Sequence, residues 1–280
     1  LDLQILSNTL KRIILRRFVW RKNKDWGDCM QVHDHLGRAV SYSFPPQRII
    51  SLCPAITETL FAFGLKEEIV GRTQYCIFPA NEVATVPKVG GTKQIQLEKI
   101  VELQPDLIIC EKEENTKEMV EQLAKHFPVY VAQVESVADA HRMIRDIGTL
   151  VNRLDEANTL LTQVTQAFSA LPKHTGRIAY MMWRKPYMVV GAPTYIDSVL
   201  TTLGFTNPFV HFEGRYPTVT IDDLQQAQLD YLFLSSEPFP FSDKHVQELA
   251  VHLPNTRIIL VDGEMFWYGT RMLQGAQYFK

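Results

Sequence analysis

Apolar residues from about Val137 to Leu171 recur at spacings of three and four: Ile144, Ile147, Leu150, Val151, Leu154, Ala157, Leu160, Leu161, Val164, Phe168 and Leu171. Arg142, Arg145, Asp146, Asn152, Arg153, Asp155, Glu156 and Gln163 fill the positions between them. This is the period of an amphipathic helix. Unbroken to Leu171 and stopped by Pro172, it would be roughly 50 Å long at the usual rise per residue. It lies between two blocks that both alternate strand-like and helix-like segments, so it is expected to join two lobes.

In the first block, residues 32–43 alternate around Leu36-Gly37-Arg38 as a hairpin does. Strands are expected at 48–52, 69–71, 106–110 and 129–131, and helices at 54–63, 97–103 and 119–126. Pro54 is suited to open the first of these helices and Gly64 to end it. After the long helix the alternation restarts. Strands are expected at 177–182, 188–190, 231–234 and 258–261, and helices at 195–203, 221–227 and 243–249, with a short final helix after Gly269. Such alternation predicts an α/β fold of two similar lobes, each a mainly parallel sheet covered by helices. The divisions expected are a basic leader over 1–29 outside the folded body, a first lobe over 30–136, the connecting helix over 137–171 and a second lobe over 172–280. The lobes are also alike in detail. Leu97-Glu98 through Pro105-Asp106-Leu107 aligns without a gap on Ile221-Asp222 through Leu229-Asp230-Tyr231. Glu98 and Asp222 then stand at equivalent helix starts, where a carboxylate favours the positive end of the helix dipole.

Composition narrows the classes. The chain has 280 residues, 46% of them hydrophobic, enough for one large core or two moderate ones. A formal net charge of −2 gives no general attraction to nucleic acid. Basic residues concentrate near the start, at Lys11, Arg12, Arg16, Arg17, Arg21, Lys22 and Lys24. These charges interrupt Leu10–Val19, so no secretory signal is visible. Cys29, Cys53, Cys76 and Cys110 have no close CxxC spacing and read as neither a zinc site nor a disulfide framework.

Several motifs in order then carry a resemblance. Arg48-Ile49-Ile50-Ser51-Leu52-Cys53-Pro54-Ala55-Ile56-Thr57-Glu58, Val70-Gly71-Arg72-Thr73-Gln74-Tyr75-Cys76, and Leu97-Glu98 through Leu103-Gln104-Pro105-Asp106-Leu107-Ile108 resemble the helical-backbone substrate-binding proteins of ABC importers. That family includes receptors for cobalamin, ferric siderophores and haem. In the second lobe the likeness continues through Trp183-Arg184-Lys185-Pro186-Tyr187-Met188, Gly191, Thr194-Tyr195-Ile196, Ser235-Ser236-Glu237-Pro238 and Asp262-Gly263-Glu264. It covers roughly residues 32–275.

The resemblance implies a receptor that clamps cobalamin or a similar bulky corrinoid or iron chelate in an interlobe cleft and hands it to an inner-membrane ABC permease. Tyr75 and Tyr216 match cleft aromatics of the cobalamin receptors, and aromatic side chains suit a flat conjugated ligand. Met182, Trp183, Glu264, Trp267 and Tyr268 are the further ligand-binding candidates. Glu98 and Asp222 match the carboxylates with which the family docks on its permease, and a charge on each lobe would orient that encounter. Thr92 and Glu111 depart from the pattern, standing where the cobalamin receptors present tryptophans. The family implies a monomer on the extracytoplasmic side, periplasmic or membrane-attached, with no catalytic residue, metal or cofactor and no nucleic-acid partner.

Two rivals remain at this level. A metal-ion receptor would need ligands such as His211 with Glu213, or His33, His35 and His126. A small two-lobed enzyme could use Asp262 and Glu264 for acid–base work, although the chain lacks a Walker loop, a GxGxxG turn, a GxSxG elbow and an HExxH helix.

Overall fold

The computed structural model describes residues 18–22 and 28–280. The chain divides into two compact units, one comprising residues up to Gln133 with Met143–Asn158, the other Val134–Arg142 with Thr159–Lys280.

In the first unit, β1 (Phe18–Lys22), β2 (Asp28–His33) and β3 (Ala39–Ser43) form an antiparallel sheet in that order. Five residues of the expected basic leader are therefore a strand paired with β2, from Phe18 opposite Val32 to Lys22 opposite Asp28. Residues 1–17 and 23–27 of that leader lie outside the described residues. The β2–β3 hairpin is closed by Asp34, whose Oδ1 accepts the backbone N–H groups of Leu36 and Arg38 at 3.0 and 2.9 Å. This is the hairpin read from Leu36-Gly37-Arg38.

The central sheet of this unit is wholly parallel, with β5 (Ile69–Arg72), β4 (Ile49–Ser51), β6 (Leu107–Glu111) and β7 (Val129–Ala132) as neighbours in that order. Almost every residue of these strands is buried, as expected of continuous apolar runs in a sheet covered on both faces. Ile50, Leu52, Ile108, Cys110, Val129 and Val131 share one face, where they pack with Ile100 of α3 (Leu97–Leu103) and Met119, Val120 and Leu123 of α4 (Lys117–Ala124). Helix α1 (Pro54–Ala62) follows β4 with Pro54 in its first turn, and the four-residue α2 (Ala80–Val83) follows β5. Strand order reverses at β4, whose two neighbours are reached by crossovers to opposite sides. Ligands of open α/β sheets gather beyond the carboxyl ends of the strands near such a point.

The single long helix expected over 137–171 is instead two helices, α5 (Val137–Leu150) and α6 (Leu154–Ser169). The break is a left-handed cap. Asn152 adopts φ 58, its N–H donates to the carbonyl of Thr149 at 3.3 Å, and the N–H of Arg153 reaches the carbonyl of Gly148 at 2.6 Å. Together these two bonds make the Schellman arrangement, with Asn in the position usually held by Gly. The apolar spacing runs on through Val151, Leu154 and Ala157, so periodicity alone conceals the turn.

The second unit holds a five-stranded sheet in the order β10 (Thr218–Val219), β9 (Tyr187–Val189), β8 (Ile178–Trp183), β11 (Tyr231–Ser235), β12 (Arg257–Val261). β8, β11 and β12 are parallel, and β9 runs antiparallel to both its neighbours. Ala179, Met181, Leu232 and Leu234 pack with Leu224 of α8 (Ile221–Gln226) and Leu249 of α9 (Asp243–His252). Helix α7 (Tyr195–Thr202) is capped by Thr194, whose hydroxyl accepts the N–H of Asp197. Helix α10 (Met272–Tyr278) follows two short 3-10 turns at the end of the chain.

Candidate functional site

In the first unit the site begins where β5 ends. The segment after α2 runs parallel to β5 along its edge, with the N–H of Val89 donating to the Arg72 carbonyl at 2.9 Å and that of Gln74 to the Gly90 carbonyl at 2.8 Å. It then folds into a tight turn. Gly91 donates to the carbonyl of Gln94 at 2.6 Å, and Gly90 has φ 126 with no room for a side chain beside Gln94 and Ile95. Only glycine suits that position. A Cβ on Gly91 would lie 3.3 Å from the Tyr75 ring, so the bare backbone there lets the ring rest against it.

These elements enclose an open groove of about 530 Å³, lined by Gln74, Tyr75 and residues 90–96. Tyr75 is 53% exposed at its rim. Thr92 lies on the groove wall, held by the side-chain amide of Asn115, which donates to the Thr92 carbonyl at 3.0 Å and to that of Leu52 at 3.1 Å. Glu111, at the carboxyl end of β6, is buried behind this wall. Its Oε2 accepts the N–H groups of Glu113 and Glu114 at 2.7 and 3.0 Å, and burial pushes its carboxyl up to about 7. Of the two departures from the family pattern, Thr92 therefore lines the groove and Glu111 braces the loop behind it. The groove's one charged side chain, Lys93, is tied to the backbone carbonyl of Glu113.

In the second unit the candidates fall at different places on the sheet. Met182 and Trp183 end β8. Trp183 is 39% exposed and meets the ring of Phe239 edge-on at 5.9 Å between centroids, while Phe239 donates its N–H to the Met182 carbonyl at 3.3 Å. Trp267 and Tyr268 follow β12. The Trp267 indole donates to Oε1 of Glu237 at 2.6 Å, the Arg271 guanidinium lies 5.8 Å from its ring centre, and Tyr268 packs edge-on against Tyr195. Asp262 caps the turn before them by accepting the N–H of Glu264 at 3.0 Å. Burial, and then the nearby charge of Asp262, pushes the Glu264 carboxyl upward. Tyr216 stands at the other edge, in the segment whose Arg215 and Pro217 carbonyls accept from Gly191 and Val189 at 2.9 and 3.1 Å, and it is half-buried. The structure thus gathers Trp183 with Phe239, and Trp267 with Glu237 and Arg271, while Tyr216 belongs to the β9–β10 edge.

Glu98 and Asp222 both occupy the second position of a short helix, α3 and α8, and both are exposed. Of the histidines considered for a metal, His35 is committed to Asp146 at 3.1 Å and to the backbone of Gln133. His211 and Glu213 are exposed. Among the described residues no three His, Cys, Asp or Glu side chains converge as ligands of an ion, and no helix is long and apolar enough to cross a membrane. Gln94, Gln96 and Phe239 were not among the residues singled out from sequence, and Gln74 stood there only as part of the motif around Tyr75. The one hint of Gln94 and Gln96 is the Gly90-Gly91 pair, which marks a tight turn beside Tyr75.

Comparison with known proteins bears on the fold and the family. Residues 49–252 match the family described as periplasmic binding protein. A vitamin B12-binding protein of Pectobacterium carotovorum is 25% identical over 244 residues, covering 83% of this chain and 86% of its own. One from Vibrio parahaemolyticus is 27% identical over 198 residues, covering 68% and 71% respectively. In fold the chain is similar to the crystal structure of the periplasmic vitamin B12 binding protein of Vibrio cholerae, with a TM-score of 0.67, 22% identity and coverage of 84% of this chain and 95% of that one. It is also similar to a periplasmic heme-binding protein from Roseiflexus, with a TM-score of 0.70, 21% identity and coverage of 83% and 97%. The chain belongs to the periplasmic binding protein family, among the helical-backbone substrate-binding proteins of ABC importers.

Proposed function

We propose that this substrate-binding protein takes cobalamin or a closely similar corrinoid, using Tyr75 as a stacking surface, and delivers it to an ABC permease from the extracytoplasmic side. The observation that carries the reading is the exposed Tyr75 ring lying over a groove large enough to admit the edge of a bulky ligand. Relatives described as vitamin B12-binding, matched over most of the chain, support the choice of corrinoid. In the second unit, Trp183 supplies a further exposed ring, with Met182 beside it. Tyr216, Trp267, Tyr268 and Glu264 are the other ligand contacts in this reading. Glu98 and Asp222 serve the permease: both are exposed, and both sit at the same point of an equivalent helix. The protein acts as a monomer that binds without covalent chemistry.

Equilibrium calorimetry with cobalamin, run beside haem and a ferric siderophore, tests the assignment. Tight one-to-one cobalamin binding that is lost in Tyr75→Ala supports it. Binding of haem or the siderophore alone would keep the receptor and discard the corrinoid. That second reading has its own support in the heme-binding protein of similar fold.

A further inference from the structure

We infer that the groove beside Tyr75 reads a neutral, amide-bearing edge of the ligand and selects against carboxylate-bearing or otherwise anionic ligands. This rests on the substrate-binding reading and deepens it. The lining carries three primary amides, Gln74, Gln94 and Gln96, all exposed, together with Thr92 and the backbone of the Gly90–Gln94 turn. Each glutamine offers two N–H donors and a carbonyl acceptor, which is the complement of another primary amide. An anionic ligand would need a cation, preferably an arginine fork. The lining contains no arginine, and its one lysine is already engaged. Lys93 donates to the Glu113 carbonyl, and its charge also acts on the half-buried Glu114 carboxyl. Behind the wall stands the Glu111 carboxyl, which accepts the N–H groups of Glu113 and Glu114, and the Glu114 carboxyl is hydrogen-bonded to the Thr92 side chain of the lining itself. A ligand carboxylate would give up its hydration there for neutral donors in an acidic neighbourhood, a desolvation that neutral amides do not face. The turn is held before binding, since the Gly91 N–H donates to the Gln94 carbonyl and the Gln96 N–H to the Val89 carbonyl, so the backbone that carries these glutamines needs no ordering by the ligand.

The test is calorimetry with cobalamin, its peripheral monocarboxylic acid derivatives, a neutral ferric hydroxamate, an anionic ferric catecholate and haem. Each is titrated into the wild type and into the double variant Gln94→Lys/Gln96→Lys. Wild type is expected to bind cobalamin roughly tenfold or more tighter than the monocarboxylates, the size expected for leaving a buried charge unpaired. The double variant, by adding two cations to exposed positions, is expected to close or reverse that gap. Equal affinity for cobalamin and its carboxylates in both proteins would overturn the inference while leaving the corrinoid reading intact. Binding of the neutral hydroxamate with silence from cobalamin would do the opposite, sinking the corrinoid and sustaining the neutral groove. Tightest binding of haem or the catecholate, or no binding of any ligand, would remove both.

Discussion

The backbone N–H of Arg48 donates to the carboxylate of Asp106 at 2.9 Å, fastening the start of β4 to the loop that enters β6. The second unit repeats the device, with Arg177 at the start of β8 donating to Asp230 at 2.7 Å. The likeness extends outward. The Arg48 guanidinium donates to the carbonyl of Leu103 at the end of α3, and that of Arg177 to the carbonyl of Ala227 after α8. Gln104 and Gln228, one residue further on, both take a left-handed conformation, with φ 45 and 47. An ungapped sequence repeat thus corresponds to a repeated helix–turn–strand joint. Asp106→Ala and Asp230→Ala should each cost about 1 kcal/mol, the usual worth of hydrogen bonds to a charged group that stays accessible to water. Urea unfolding followed on each variant would give that as a lowered midpoint, and an unchanged midpoint in both would show the joint to be dispensable.

Tyr75→Ala should weaken cobalamin binding roughly ten- to a hundredfold through lost stacking and apolar burial. The ring is more than half exposed in the free protein, so its removal should leave the melting temperature almost unchanged. Trp183→Ala, on the second unit's exposed ring, provides the comparison. Calorimetry and a thermal melt on the same samples separate lost affinity from lost folding.

Much of this was legible in the sequence because the strands are fully buried. Ile49-Ile50-Ser51 and Leu107–Glu111 have no exposed positions, so their apolar character survives as short continuous runs between turn residues. The helix break was not legible, since Leu150, Val151, Leu154 and Ala157 keep helical spacing across it, and only Gly148 with Asn152 marks the cap. β1 was hidden among basic residues that read as a leader. The groove was hidden for a different reason: Gln74, Gln94 and Gln96 are polar loop residues with no period, and what joins them is the turn at Gly90-Gly91. Tyr75 was found only because its neighbours resemble a family.

Reversing both exposed helix-start charges, Glu98→Lys with Asp222→Lys, should leave ligand affinity within about twofold and abolish stimulation of the permease's ATPase. Attraction between exposed charges is screened by salt, so the wild-type stimulation should itself weaken as ionic strength rises. Loss of ligand binding in the variant would reassign these carboxylates to the ligand.

Glu111 gives the fold a pH dependence of defined sign. Burial raises its carboxyl from an ordinary value near 4.5 to about 7, so the unfolded chain ionises it at lower pH than the folded one. Its contribution therefore penalises folding increasingly as pH rises from about 4.5 to about 7, by roughly 3 kcal/mol once complete. Glu111→Gln retains a carbonyl oxygen for the N–H groups of Glu113 and Glu114 and removes the penalty. Unfolding midpoints measured from pH 4.5 to 8 should fall less steeply in the variant and cross above the wild type near neutrality. Parallel curves would mean that Glu111 ionises in the folded protein like any exposed carboxylate.

The left-handed cap between α5 and α6 predicts the sharpest single-site loss in the connecting region. A Cβ on Gly148 would overlap that of Ala157 in α6 and stand 2.8 Å from the carbonyl oxygen of Arg153, whose own N–H is bonded to Gly148. Both neighbours are parts of the turn itself, so neither yields without moving a helix. Alanine ordinarily stabilises a helix interior relative to glycine by about 1 kcal/mol. Here Gly148→Ala should instead destabilise by about 1–3 kcal/mol, as overpacking against backbone does. Asn152→Gly is the matched control. It suits the left-handed conformation at least as well as asparagine and should be neutral or stabilising by a few tenths of a kcal/mol. Denaturation midpoints that fall for Gly148→Ala and hold for Asn152→Gly would establish that α5 and α6 are separate helices in solution. Stabilisation by Gly148→Ala with loss on Asn152→Gly would instead mean that the connection runs as one continuous helix.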